Sequence, residues 1–210
     1  MFDESGRGAG KYRFRGESLE KSLVVRVDLN NYLSWALEQN VSNKVILIED
    51  FLSKMVLALE QHGGFFLSSD SDGIYVVFSE YFGLGAGYKE TVAFCRQVVQ
   101  NRYGTDGLSV RAVVANGPLT FFQRPHEVAG NDWSADGLSL KRAQWLSLSV
   151  YERRCIYFFA DDFKVISNEL PDDFWKKPEW VFRRENIILP PHAVPERTVE
   201  TVAVEYLKDH

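Results

Sequence analysis

The sequence of 210 residues contains little cysteine and no long apolar run. Its two cysteines, Cys95 and Cys155, have neither metal-ligand spacing nor the density of a disulfide framework, which favours a reducing compartment. No apolar run approaches the roughly 20 residues that span a bilayer, and the N-terminal residues lack the apolar region of a signal peptide. We therefore expect a cytoplasmic protein.

Basic residues are outnumbered by acidic ones. Lys and Arg number 24 against 29 Asp and Glu, which gives a formal net charge of −5. A protein that holds a nucleic acid polymer through its phosphates needs a net basic surface, so the composition argues against that role. The composition remains compatible with a protein that binds a single nucleotide through metal ions. The four histidines show no ligand spacing, and neither a Gly-rich P-loop nor a Ser, His and acid constellation is evident.

The remaining composition suits one domain of ordinary size. Apolar residues make up 45% of the chain and aromatic residues 14%, which is enough to form a core. Residues 1 to 19 are polar, Gly-rich and of mixed charge, and this predicts a flexible N-terminal tail. Residues 20 to 210 are expected to form the domain.

Apolar spacing along the domain predicts strands that alternate with helices. A strand over 22–27 leads into a short helix that ends near Glu38 and a long helix over about 43–61. We expect the buried face of the long helix to carry Val45, Ile48, Leu52, Met55 and Leu59.

Two hairpins are predicted, one over 65–78 and one over 108–122 with its turn at Asn116-Gly117-Pro118. A helix from about residue 137 or 138 to 152, a strand over 156–159, a helix over 160–168 and an edge strand over 199–207 follow. This order predicts an α+β fold with a ferredoxin-like core, in which helices pack on one face of a mixed, mostly antiparallel sheet.

Three acids stand near turns of this predicted sheet. Asp28 ends the first strand, and Asp70 and Asp72 lie at the tip of the first hairpin. Asp-Gly is the commonest short hairpin turn, so Asp72 and Gly73 are also open to a purely geometric interpretation. If the strand and the hairpin are central neighbours, however, Asp28 and Asp72 converge and suit two divalent cations that hold a triphosphate. The tight turn after Asp28 would offer backbone N–H groups to phosphate.

The stretches VVRVDLNNYLSW, GGFFLSSDSDGIYVVF and VRAVVANGP, together with the long helix and a later helix with basic residues, resemble the class III nucleotidyl cyclase catalytic domain. The resemblance covers roughly Leu23 to Phe159 by the order and spacing of elements. It implies that Asp28, the backbone carbonyl of Leu29 and Asp72 bind two Mg²⁺ or Mn²⁺ ions, with Asp70 as an alternative ligand. One departure is Ser71, where the family has a glycine before the second metal-binding Asp.

The same resemblance assigns substrate-binding residues. Phosphate would bind at Asn30, Asn31 and Tyr32, and Ser68 and Glu127 would read the base. Neither base-reading position carries the family's purine signature. Glu127 could accept a hydrogen bond from uracil N3–H or from the exocyclic amine of cytosine.

The resemblance also implies an Asn and, four residues later, a catalytic Arg on the later helix. These positions fall on Leu138 and Arg142, so the Asn is missing, and Lys141 is the substitute if the register differs by one. Arg183 and Arg184 are candidates, by composition alone, for the family's late phosphate-binding Lys.

Departures of this kind are shared by the bacterial pyrimidine cyclases of antiphage (Pycsar) signalling, which make cyclic UMP or cyclic CMP for a separate effector protein. The resemblance therefore implies a homodimer with active sites at the interface. UTP is the favoured substrate, which would make the chain a uridylate cyclase, and CTP is the alternative. Each site would combine Asp28 and Asp72 of one chain with Ser68, Glu127 and Arg142 of the other. A purine cyclase and a non-catalytic module that binds a nucleotide or a partner protein are the alternatives.

Overall fold

The computed structural model describes residues 17–70, 72–79, 87–123, 133–151, 154–175, 177–193 and 197–207. The strands, in chain order, are β1 (Glu17–Leu29), β2 (Phe65–Ser69), β3 (Gly73–Phe78), β4 (Val110–Gln123), β5 (Trp133–Asp136), β6 (Cys155–Phe159), β7 (Trp180–Ile188) and β8 (Thr198–Tyr206). The helices are α1 (Tyr32–Glu38), α2 (Val41–His62), α3 (Tyr88–Gln100), α4 (Leu138–Ser147), α5 (Ala160–Glu169) and α6 (Asp172–Trp175).

One mixed sheet organises these elements. Its strand order is β2-β3-β1-β4-β6-β8-β7, and β5 pairs with β4. The β4–β6 pair is parallel, whereas the other pairs of the described strands are antiparallel. The predicted α+β class with a mostly antiparallel sheet is confirmed. β1 and β3 are neighbours as expected, but β3 lies next to the edge strand β2 rather than at the centre of the sheet.

Helices cover both faces of the sheet, so the predicted arrangement on one face is wrong. Side chains alternate along β1, which puts Val25 and Val27 in one apolar cluster and Val24 in the other. The first cluster receives apolar residues from α2, α3 and α5, and the second receives Ala143 and Leu146 of α4. Strands buried on both faces show apolar runs rather than alternation, which hides the second helical layer from sequence analysis.

The N-terminal strand begins earlier than predicted. β1 starts at Glu17, and Leu19 is only 7% exposed and pairs with Leu119. The last three residues of the predicted tail therefore belong to the sheet. Residues 1 to 16 lie outside the described residues, and a flexible tail there remains a prediction.

The predicted hairpin over 108–122 is instead one continuous strand, β4. It pairs with β1 from Leu29↔Val110 to Glu17↔Phe121, with a register shift between Leu19 and Ser22. Pro118 lies opposite this irregularity, where its missing N–H costs no regular ladder bond. The turn-like triplet at Asn116 therefore marks a bulge and not a reversal of the chain.

The buried face of α2 matches the predicted one only in part, since Met55 and Leu59 are buried as expected. Its buried residues include Leu47, Phe51 and Met55, whereas Val45 is 47% exposed. Apolar residues also occupy the outer side of this helix, for example Val56 at 51% exposure, so the apolar spacing alone fits more than one face.

The edges of the sheet also differ from the prediction. β8 was expected at an edge, yet it lies between β6 and β7, and β7 forms that edge. At the opposite edge β2 is only half-covered, and Phe66 is 41% exposed. Sequence analysis did not predict β7, whose residues are mostly exposed or half-exposed.

Candidate active site

Three carboxylates converge where β1 meets the β2–β3 hairpin. Asp28 pairs with Gly73 in the sheet, and the Leu29 N–H donates to the Asp72 carbonyl oxygen at 2.7 Å. One carboxylate oxygen each of Asp28, Asp70 and Asp72 lie within 4.8 Å of one another. The convergence of Asp28 and Asp72 predicted from the sequence is therefore observed, and Asp70 joins them.

The deepest of these acids is Asp28, which is 1% exposed and held by three side chains. Arg26 donates to its Oδ1 at 2.7 Å, and the Ser147 hydroxyl of α4 donates to its Oδ2. The Arg111 guanidinium of β4 lies 3.7 Å from the same Oδ2. A buried carboxylate with these partners has a fixed direction, which is the property that a metal ligand requires.

Arg26 joins Asp28 to the hairpin tip. Its Nη1 donates to Asp70 Oδ2 at 2.8 Å and to the Tyr75 hydroxyl, and its guanidinium lies 4.7 Å from the centre of the Tyr75 ring. Burial by itself would lower the pKa of Arg26, but the adjacent Asp28 carboxylate, then Tyr75 and Asp70, raise it well above its usual value. Burial raises the pKa of Tyr75 as well, so the pair stays a cation and a neutral phenol at physiological pH.

The donor set fits a hard divalent cation. Carboxylate oxygens are the ligands that Mg²⁺ and Mn²⁺ prefer, and three of them converge at the end of rigid strands. The Arg26 guanidinium lies between Asp28 and Asp70 and already offsets part of their negative charge. Asp28 and Asp72, with Asp70 close by, are the residues that could hold a metal ion here.

Part of the turn that follows Asp28 is hydrogen-bonded to other residues of the chain. The Asn30 N–H donates to the Ser109 carbonyl oxygen at 2.9 Å, and the Asn30 side chain donates to the Ser109 hydroxyl at 3.2 Å. This backbone N–H is therefore not available to phosphate as the resemblance implied. Asn31 has a left-handed backbone, φ 57°, and precedes α1; for Asn31 and Tyr32 the phosphate-binding role remains a prediction.

Arg142 lies far from the acids of its own chain. Its Nη1 donates to the Asn116 carbonyl oxygen at 2.8 Å and pairs with Asp162 Oδ1 at 3.1 Å. Asn116 and the residue opposite Asp28 are separated by five positions of β4, from 111 to 116, or roughly 16 Å along the strand. Arg142 therefore does not reach the acidic cluster within one subunit.

The helix predicted from about residue 137 or 138 to 152 is shorter in the structure. α4 ends at Ser147 rather than near residue 152, and its buried side includes Ser139, Ala143 and Leu146. Leu138, which stands in place of the family's Asn, is 49% exposed. Lys141 pairs with Asp136 at 3.1 Å, and its side chain is 52% exposed. The small residues Ser139 and Ser147 face the sheet, and hydrophobic spacing does not identify them.

Of the remaining predicted residues, Ser68 lies two positions before Asp70, Glu127 is not described, and Arg183 and Arg184 are distant from the acids. Ser68 is exposed on β2, where it pairs with Tyr75. Glu127 lies outside the described residues. Arg183 and Arg184 are on β7, four strands from β1 and so roughly 19 Å away, and pair with Glu205 and Glu200 on β8.

Sequence analysis missed Arg26, Arg111 and Ser147 as parts of the site. Arg26 is two residues before Asp28 on one strand, so both side chains point to the same face. A charged residue inside an otherwise apolar central strand requires a partner, and that signal was present in VVRVD. Arg111 and Ser147 depend on the pairing of β4 and on the placement of α4, which carry no local signal.

No family model and no curated protein matches the sequence. Solved structures do match. A guanylate cyclase domain from Catenaria anguillulae in complex with GTP is 12% identical, with a TM-score of 0.67 over 91% of this chain and 100% of that chain. The catalytic core of a rhodopsin-guanylyl cyclase with converted specificity, in complex with ATPαS, is 13% identical, with a TM-score of 0.68 over 92% and 100%.

The likeness extends to a bacterial adenylyl cyclase. CyaB from P. aeruginosa is 16% identical, with a TM-score of 0.60 over 90% of this chain and 95% of that chain. The chain therefore has the fold of a class III nucleotidyl cyclase catalytic domain. Among the helices of the described ranges, none combines the length and the apolar character needed to cross a bilayer.

Proposed function

We propose that the chain is a nucleotidyl cyclase that converts a pyrimidine nucleoside triphosphate, UTP in preference to CTP, into its 3′,5′-cyclic monophosphate and pyrophosphate. The observation that carries the proposal is the convergence of Asp28, Asp70 and Asp72 where β1 meets the β2–β3 hairpin of a cyclase fold. The likeness to solved cyclases supports the fold, and the acids supply the chemistry that the fold alone does not specify.

Asp28 and Asp72, with the backbone carbonyl of Leu29, would hold two Mg²⁺ or Mn²⁺ ions, and Asp70 lies close enough to take part. When bound, divalent cations supply charge neutralisation on a triphosphate and lower the pKa of an attacking hydroxyl. The protein's own contribution is to fix the carboxylates: Ser147 and Arg26 orient Asp28 before substrate arrives. In the reaction the ribose 3′-oxygen bonds to the α-phosphorus while the bond from that phosphorus to the β-phosphate oxygen breaks.

Arg142 would stabilise the charge on the phosphoryl oxygens in the active site of a second copy of the chain. Its partner Asn116 lies roughly 16 Å along β4 from the residue opposite Asp28, and this separation supports a homodimer in which each site draws on both subunits. The contacts with Asp162 and with the Phe159 ring, 4.1 Å from its guanidinium, hold the side chain in a defined direction.

Ser68 and Glu127 would read the base. Ser68 is short, neutral and exposed, unlike the charged residues with which purine cyclases recognise adenine or guanine at this position. This departure supports a pyrimidine substrate, and we favour UTP. The cyclic nucleotide would then act as a second messenger on a separate effector protein in defence against phage.

The experiment is to incubate the purified chain with ATP, GTP, CTP and UTP separately, with Mn²⁺, and to identify the products by mass. We expect cyclic UMP, or cyclic CMP as the second pyrimidine product. Asp72→Asn should abolish turnover without unfolding the domain. Glu169→Gln, an exposed acid at the end of α5, is the matched control and should keep full activity. Cyclic AMP or cyclic GMP would assign the chain to the purine cyclases instead.

One observation favours a second candidate, a non-catalytic module with a cyclase fold that binds a nucleotide or a protein partner. Arg26 already neutralises part of the acidic cluster, as a residue does in a site that has no use for metal. No product from any of the four nucleotides, together with unaltered nucleotide binding in Asp72→Asn, would establish that candidate.

A further inference from the structure

Arg26 contacts two carboxylates of the acidic cluster and two hydroxyl groups beside them. Its Nε and Nη2 both lie 2.7 Å from Asp28 Oδ1, its Nη1 lies 2.8 Å from Asp70 Oδ2, and its Nε lies 3.1 Å from the Ser147 hydroxyl. The Tyr75 hydroxyl accepts a further bond from Nη1. With 8% of its surface exposed, Arg26 is a buried cation in the place where a divalent ion would bind.

A guanidinium and a divalent cation compete for the same carboxylate oxygens. Asp28 Oδ1 already receives two N–H groups of Arg26, and Asp70 Oδ2 receives a third. A metal ion that takes these oxygens has to displace the N–H groups or bind beside a positive charge. Both effects weaken metal binding, and both depend on the charge of one side chain.

We propose that Arg26 is a built-in competitor of the divalent cation: it holds Asp28 and Asp70 while the metal is absent, and thereby sets the metal concentration at which the site fills. This inference rests on the metal site of the proposed function. Asp70, whose side chain is 44% exposed, remains as a partner for the guanidinium when the metal takes Asp28, whereas the Tyr75 hydroxyl helps to hold the guanidinium in the metal-free position. Arg26 is thus a residue that determines metal affinity, not one that touches the reacting atoms.

The test measures Mn²⁺ binding to the full chain without nucleotide. Electron paramagnetic resonance quantifies the free ion. Arg26→Gln removes the competing charge and should tighten Mn²⁺ binding by about tenfold or more, because a unit charge about 4 Å from a divalent ion repels it even in water. Arg26→Lys keeps the charge and loses the planar fork, and its dissociation constant should stay within about threefold of wild type. A role that is merely structural would not separate these two variants.

If Arg26→Gln does not fold, a milder substitution tests the same proposal. Tyr75→Phe keeps the ring and removes the hydroxyl that accepts from Arg26 Nη1. It should loosen the guanidinium and tighten Mn²⁺ binding by about twofold to threefold. Circular dichroism and thermal unfolding establish that each variant is folded.

The two hypotheses fail in different ways. If Asp28→Asn binds Mn²⁺ as tightly as wild type, the metal site of the proposed function is wrong. If Asp28→Asn loses Mn²⁺ while folded Arg26→Gln and Tyr75→Phe bind it no more tightly than wild type, the metal site stands and the competitor role of Arg26 is wrong. Glu169→Gln should match wild type throughout.

Discussion

Gly73 is the point of closest approach between the two strands that carry the acids. A Cβ at this position would lie 2.5 Å from Asp28 Oδ1, 3.0 Å from the Val27 carbonyl oxygen and 3.1 Å from Asp70 Oδ1. Ordinary van der Waals contact of a Cβ begins near 3.4 Å. We therefore expect Gly73→Ala to push the Asp28 carboxylate away by about 1 Å, which is the difference between these distances.

The cost has two parts. Overpacking of a filled site costs about 1 to 3 kcal/mol, and the displaced carboxylate loses part of a charged hydrogen bond to Arg26, worth about 1.5 to 3 kcal/mol when complete. We expect Gly73→Ala to lower the free energy of unfolding by about 3 kcal/mol, and the melting temperature by about 6 to 12 °C for a chain of this size. A displacement of about 1 Å at a reacting centre should also lower turnover by about 100-fold.

Urea and thermal unfolding measure the first effect, and Mn²⁺ affinity with product formation measures the second. Gly87→Ala is the matched control, because among the described residues its new Cβ would meet Glu90 Oε2 alone, at 3.4 Å, far from the acids in sequence and on another element. A Gly73→Ala protein with wild-type stability and wild-type Mn²⁺ affinity would refute the proposed geometry of the carboxylates.

Three further predictions concern buried groups. Burial raises the pKa of both thiols, that of Cys155 to about 12, so Cys95 and Cys155 should react with a thiol reagent at pH 8 only after denaturation. Burial also raises the pKa of Asp162, so this carboxyl stays protonated to a higher pH in the native state than in the unfolded chain. The free energy of unfolding should therefore fall as the pH rises from about 4. Asp162→Asn should make this pH dependence weaker in urea titrations. Phe94→Ala, at a fully buried position, should cost about 3 to 5 kcal/mol in urea unfolding.

The central acids and their strands were predictable because their signals are local. Asp28 follows an apolar run and Asp72 stands in an Asp-Gly turn, and strands with such ends are common partners in a ferredoxin-like core. Successive side chains of a β-strand point to opposite faces, which determines which residues share a face. The same rule applied to Arg26 would have added it to the site.

Features that depend on tertiary packing were not predictable in the same way. The second helical layer, the continuous course of β4 and the exposure of β7 follow from how strands are covered, not from their own residues. Ser147 reaches Asp28 across 119 positions of the chain, a contact that no spacing rule encodes. The family's glycine before Asp72 is absent, yet the turn still brings the carboxylates together.

In the proposed homodimer two subunits share each active site, and a complementation experiment tests this directly. Chains with Asp28→Asn and chains with Arg142→Ala, each carrying a different tag, are co-expressed, and the mixed dimer is isolated through both tags. Each parent dimer should be inactive, whereas the mixed dimer contains one site with both residues intact and should show about half of the wild-type turnover. A mixed dimer as inactive as its parents, or a fully active Arg142→Ala parent, would contradict the account.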